Sequence, residues 1–288
     1  MRLLGSKLAL YRLFDVADEI ELDRLDLPRS RLARPRSAVR FGEPPAELDL
    51  GPRQFAGYAG RLSARIYPFG VVALRLRLDL GEAIPLEAFR EAALSVPESR
   101  ELGAFFEGEL AGLQRTLAPA LFRPFAEPEE EEFAVLFFTG TEPALPASAL
   151  FEALPVAELV LGERERFSPE VEGELRRYAF SYTEEDLAVL GYERVLLFDS
   201  EGIWDVADLV EFVHAELLEL AYYDRLLAAA LRDLPEELAG ATAEKLEVLA
   251  DLHAKIAEEQ NFARAQAVEI GIFALILFEV LRALWGDG

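Results

Sequence analysis

The sequence predicts an α+β body over residues 1–200 and, over residues 203–288, a C-terminal antiparallel helical hairpin whose last helix is long and strongly apolar. Three observations predict it. Residues 61–80 alternate apolar and polar side chains about a short turn. Strand-like runs stand at both ends of the first 200 residues with helical stretches between them. After residue 202 the apolar period lengthens from two to three and four and stays there. The body is read as a mixed or antiparallel sheet with covering helices.

Composition bounds what such a body does. With 52% hydrophobic and 28% charged residues in 288, the chain buries a sizeable core. It has no cysteine, which excludes disulfides, thiolate metal sites and cysteine nucleophiles, and its two histidines exclude His-rich metal sites. No cofactor and no metal are expected. A formal net charge of −24 repels a phosphate backbone, so no nucleic-acid partner is expected either. Arginine outnumbers lysine heavily, the lysines being Lys7, Lys245 and Lys255, and Asn261 is the sole asparagine. This bias suits a GC-rich genome and a thermophile-like composition. The apolar start is broken by Arg12 and Asp15, too soon for a signal peptide, so a cytoplasmic location is expected.

Along the chain, residues 8–16 read as a first strand, with Leu8, Leu10 and Phe14 on one face and Arg12 intruding. Residues 28–40 carry Arg29, Arg31, Arg34, Arg36 and Arg40 without an acid, and Pro28 and Pro35 argue for an irregular basic loop. Next comes the clearest local structure. A three-residue loop at 68–70 pairs Ile66 with Val72, Ala64 with Leu74 and Leu62 with Leu76, gathering the apolar residues on one face; a slip of one residue mixes the faces. The opposite face then collects Arg61, Arg65, Arg75 and Arg77. Like charges directly opposite repel, so something acidic must cover them. That cover is either an acidic helix of the same chain or an anionic ligand, which makes these four arginines the candidate ligand-binding residues.

Helices are expected over 85–94 and 97–117, each with a proline at or near its start. The run 127–132 reads as an acidic linker, and 133–139 (FAVLFFT) as a buried strand. A helix over 147–154, an apolar segment at 159–161, and a helix opened by Ser168-Pro169-Glu170 follow. Strands at 178–182, 187–190 and 194–198 form a meander closing the sheet.

From residue 204 to 234 apolar residues recur at helical spacing, and from Thr242 a second pattern runs to Trp285 without a proline, about 65 Å at 1.5 Å per residue. Its first half suits coiled-coil-like pairing with the preceding helix. His214 and His253 fall one on each helix, without a nucleophile or ligand set beside them. Residues 267–285 include eleven Ile, Leu, Val or Phe among nineteen. On an insertion scale these contribute about −3 to −7 kcal/mol, against about +3 for Glu279 in mid-span, which Arg282 on the same helix face can pair. Ile270, Phe273, Leu277, Phe278, Glu279, Leu281 and Arg282 are therefore the candidate residues of a transmembrane or oligomer-forming helix. A membrane span would hold the chain at the inner face of the cell membrane as a tail anchor does; the alternative is self-association or burial.

No Gly-rich phosphate loop, nucleophile elbow, HExxH or nucleotide fingerprint occurs, and no catalytic residue is assigned. Acid pairs such as Asp199 with Glu201 and Asp205 with Asp208 carry little information in a chain this acidic.

Residues 66–78 (IYPFGVVALRLRL) resemble the FPYGVVVFW-type strand pair of the required-for-meiotic-nuclear-division family, a group built on a domain of unknown function. Residues 127–138 (EPEEEEFAVLFF) resemble its acidic stretch leading into a strand, and the helical end with ALILFEVLRAL at 274–284 resembles its helical tail and single membrane helix. LYRLFDVADEIEL at 10–22 and LLELAYYDRLL at 217–227 are similar to uncharacterised bacterial proteins of this type. The chain departs from that pattern in carrying Val268-Glu269-Ile270 where Leu-Glu-Trp usually opens the last helix, and in a shortened loop at 235–241. The resemblance implies no enzymatic activity and a scaffold or oligomer at a membrane. The expectation is thus a non-enzymatic membrane-associated or self-assembling scaffold. The alternative is a soluble enzyme or small-anion binder using the Arg61, Arg65, Arg75 and Arg77 face.

Overall fold

The hairpin read from residues 61–80 is the middle of a much wider sheet in the computed structural model, which describes residues 1–25, 32–33, 45–164, 167–177, 179–180, 186–191, 193–199, 207–208, 210–215 and 218. Its ten strands are β1 (Arg2–Ile20), β2 (Leu32–Ala33), β3 (Ala46–Phe55), β4 (Tyr58–Ile66), β5 (Val71–Pro85), β6 (Leu121–Phe138), β7 (Gly140–Glu142), β8 (Ala179–Phe180), β9 (Asp186–Leu190) and β10 (Arg194–Asp199). They run in the order β2-β3-β4-β5-β1-β6-β10-β9-β8, with β7 pairing β1 beyond the end of β6. All pairings are antiparallel except β10 with β6. The architecture is α+β with a mostly antiparallel sheet.

The β4–β5 register is the expected one: Ile66 faces Val72, Ala64 faces Leu74 and Leu62 faces Leu76. The turn before Val71 lies against β1, where Val16 N–H donates to the Gly70 carbonyl at 3.0 Å and Ile20 N–H to the Pro68 carbonyl at 2.7 Å. Gly70 sits at φ 95°, and a Cβ there would run into the Ala17 carbonyl, so this corner takes glycine on two counts.

Helices α1 (Leu86–Ser95), α2 (Arg100–Leu117), α3 (Ala147–Ala153), α4 (Val156–Leu161) and α5 (Pro169–Arg177) join one apolar core with the first sheet face. Ser99 caps α2 by accepting from Glu101 N–H at 3.3 Å. Phe89, Phe106, Leu110, Leu150 and Leu159 meet Leu8, Leu10, Leu62, Leu74 and Leu136 there. The second face carries a smaller core of Ala9, Tyr11, Leu13, Tyr67, Val71, Ala73, Phe133, Val135 and Phe137, under helical residues 207–208 and 210–215 that contribute Ala207 and Ala215, with Leu218 beyond them.

Two expectations are corrected, and the segment at 159–161 is placed. Residues 127–132 are not a linker but the middle of β6: Glu132, Glu131, Glu130 and Glu129 pair in register with Arg12, Leu13, Phe14 and Asp15 of β1. Backbone hydrogen bonds to β1 hold the acids in a strand, and Arg12 lies 2.5 Å from Glu132 and 3.4 Å from Glu130. Leu32 and Ala33 form a short strand on Leu48 and Glu47, so the basic stretch is not wholly irregular. The segment at 159–161 is the end of α4.

The described residues all fall in the unit Met1–Leu218, so the start of the expected hairpin packs with the body. No helix among the described residues is long and apolar enough to cross a membrane. The remainder of the expected hairpin, including His253 and Ile270, Phe273, Leu277, Phe278, Glu279, Leu281 and Arg282, lies outside the described residues.

Candidate functional site

Strand alternation places the four arginines on the second face in three cross-strand rows. Arg65 stands between Glu47 of β3 and Ala73 of β5; Arg75 stands between Ser63 of β4 and Tyr11 of β1; Arg61 and Arg77 are directly opposite one another. Of these rows only Arg61–Arg77 sets like charges directly opposite, and each arginine is accommodated in a different way.

Arg65 and Arg75 are buried under the chain's own acids. Arg65 lies 3.1 Å from Asp208, 3.3 Å from Glu211 and 3.7 Å from Glu47. Arg75 lies 2.7 Å from Glu47 and 3.2 Å from Asp208, and its Nε donates to Ser63 Oγ at 3.2 Å. Asp208 and Glu211 stand three apart on one helix, so both carboxylates face the sheet together. Burial opposes the charge on Arg65, but Glu211 and Asp208, with Tyr67 and Glu47, more than offset it and hold the guanidinium above its ordinary value. Arg75 is likewise held up against burial, chiefly by Tyr11 and Glu211. Arg77, half-buried, is pushed down by burial and then by Arg75. Arg61 belongs to the site only in sequence: its side chain is 68% exposed and paired with Asp49.

Glu211 is 1% exposed and accepts the Tyr67 hydroxyl hydrogen at 2.8 Å. Burial raises its carboxyl above the usual range in spite of Arg65 and Arg75. Burial, then Glu211, raises the Tyr67 phenol in turn. Beside this network the Tyr11 ring stacks on Phe133 at 4.2 Å, and Phe133 on His214 at 4.6 Å. Tyr11 is pushed up to about 12, first by burial, with Arg75 opposing. His214 Nδ1 stands 3.5 Å from Glu131.

Glu47, Tyr67, Asp208 and Glu211 complete the arrangement, and reading the sequence missed their part in it. The usable signal was the spacing Asp208-x-x-Glu211-x-x-His214, which puts two carboxylates and an imidazole on one helical stripe. It was hidden because Asp208 reads as one surface acid among many, whereas its side chain is only 14% exposed.

Chemically the arrangement is a closed ion lock. The Arg65 and Arg75 guanidinium groups point at carboxylates already in place. No cluster of three metal-binding side chains occurs among the described residues. A cavity of about 360 Å³ lies elsewhere, between α3, α4 and α5, lined by Phe151, Leu154, Val156, Phe167 and Leu175. At this cavity Arg176 pairs with Glu152 and lies 4.4 Å over the Phe151 ring.

No curated protein and no solved structure matches the chain. A family model described as "Uncharacterized protein MJ0711, N-terminal domain" matches residues 5–204, which hold β1 from its fourth residue, the whole of β2–β10, the four arginines and Glu47, and end short of Asp208 and Glu211. That match spans more than half of the chain, and the chain belongs to this family.

Proposed function

We propose that the protein is a non-enzymatic scaffold, associating with a membrane or with copies of itself through the apolar residues 267–285. The observation that carries the reading is the closure of Arg65 and Arg75 by Glu47, Asp208 and Glu211. A small-anion site needs cations that a ligand can reach and neutralise; these two are neutralised by the chain itself. The apolar run at 267–285 supports the second half of the reading, since so continuous an apolar surface is not left in water. The resemblance of residues 66–78, 127–138 and 274–284 to the required-for-meiotic-nuclear-division family points the same way, toward a scaffold or oligomer at a membrane rather than an enzyme.

The test is fractionation of native cells with high-salt and then carbonate washes, beside full-length protein and a chain lacking 267–285. Full-length protein is expected in the carbonate-resistant membrane pool or as an oligomer, and the shortened chain as a soluble species. A full-length chain that stays a dispersed monomer without detergent sinks both versions of the reading.

A further inference from the structure

The helix through 207–208 and 210–215 covers the second sheet face by means unlike those of α1–α5. Ala207 and Ala215 are fully buried but offer one methyl group each; Leu218 adds one larger apolar side chain, while Val210 and Phe212 are only partly buried. The first face, by contrast, is covered by Phe89, Phe106, Leu110, Leu113 and Leu117 among others. Among the described residues the cover is held by apolar packing of Ala207, Val210, Phe212, Ala215 and Leu218, with the Phe212 ring 6.3 Å from that of Tyr67 and His214 stacked on Phe133, and by buried charge: Asp208 on Arg65 and Arg75, and Glu211 on Arg65 and Tyr67. Attraction within buried ion pairs is largely offset by the cost of removing both charges from water, so such contacts set position more than they add stability.

We infer that this helix is a detachable cover: it lifts from the sheet as its own cooperative unit while the strands and α1–α5 stay folded. The seat it leaves is cationic at Arg65 and Arg75 and apolar at Tyr67, Val71 and Ala73. It recognises an acidic helix with carboxylates three residues apart, and the occupant is the chain's own. This goes beyond the scaffold reading and does not depend on it.

Native-state hydrogen exchange of the full chain tests the lifting. Amides of residues 211–215 are expected to exchange about tenfold or more faster than those of Leu8, Leu10, Leu74 and Leu76, with a weaker denaturant dependence because less surface opens. Glu211→Gln should speed the first group further and leave the second unchanged. One common rate with one denaturant dependence for both groups in the wild-type chain makes the opening global and overturns the proposal.

A labelled peptide with the sequence of residues 205–220, titrated onto the full-length Glu211→Gln chain, tests the seat. Saturable binding is expected, weakened about tenfold or more when Arg65→Ser and Arg75→Ser are added. No binding to a chain whose cover exchanges rapidly, or binding indifferent to the two arginines, overturns recognition of an acidic helix.

Discussion

Tyr67 donates its hydroxyl hydrogen to Glu211 at 2.8 Å, joining residues 144 positions apart. The bond ties the turn end of the central hairpin to the cover, and it does so inside the core: Tyr67 is 0% and Glu211 1% exposed. Glu211 also stands 3.3 Å from Arg65, so one carboxylate satisfies a buried phenol and a buried guanidinium together.

Glu211→Ala therefore leaves two buried polar groups short of a partner. A loss of about 3–5 kcal/mol is expected, the usual cost of breaking a buried pair from one side. Glu211→Gln keeps an acceptor for Tyr67 and should cost less. Urea unfolding of both variants, in a double-mutant cycle with Arg65→Ser, checks the coupling; additive losses would show that Glu211 and Arg65 do not interact.

The four arginines should respond unequally. Arg75→Ser removes a partner of both Glu47 and Asp208 in a buried setting and should cost about 3 kcal/mol or more. Arg61→Ser, at an exposed pair with Asp49, should leave the melting temperature unchanged. Arg75→Ser combined with Arg77→Ser should lower it by several degrees. Unchanged stability with loss of phosphate-ligand binding would instead favour an anion-binding protein.

Tyr11 supplies a pH dependence. Its phenol is raised from 10.0 to about 12, chiefly by burial, so the folded state holds the phenolic proton more tightly than the unfolded chain does. A raised value contributes stability that is fully present below pH 10 and is lost as pH climbs through about 12. The contribution is of order 2–3 kcal/mol at 1.36 kcal/mol per unit. Absorbance of tyrosinate near 295 nm, followed with stability between roughly pH 9 and pH 12, should show late-titrating phenols at Tyr11 and Tyr67, and Tyr11→Phe should remove one of them. An unchanged late fraction in that variant would assign it to another tyrosine.

Much of this fold was legible because period-two alternation leaves no choice of face: Leu62, Ala64, Ile66, Val72, Leu74 and Leu76 admit one register, and the sheet adopts it. The α+β class followed from strands on both sides of a helical stretch. The N-terminal half of β6 was not legible, since Glu129–Glu132 carry charge that reads as solvated; only pairing with β1, which sets Arg12 opposite Glu132, explains an acidic strand. β3 was not legible, since Gly51 and Pro52 interrupt its alternation; a register shift between Asp49 and Gly51 absorbs them. The arginine face was visible from spacing alone. The identity of its acids was not, because Glu47 and Glu211 lie 18 and 146 positions from Arg65 and nothing local marks them.

The last prediction concerns where the chain can be cut. Ending it at Leu218 retains Asp208, Glu211 and His214 on the sheet, and this fragment should keep the near-ultraviolet signature of the Met1–Leu218 unit. Ending it at Asp199 removes the cover. Arg65 and Arg75 then keep Glu47 alone of their three acids, and Tyr67, Val71, Ala73 and Phe133 lose part of their covering. The first-face core, which includes none of residues 207–218, stays complete. The shorter fragment should therefore retain its far-ultraviolet spectrum, bind a hydrophobic dye such as ANS, and melt several degrees lower than the longer one. High salt should recover part of that difference by screening the uncovered arginines. A fragment ending at Asp199 that is unfolded outright would make the cover part of the folding unit, contradicting both its independent opening and the self-sufficiency of the first-face core.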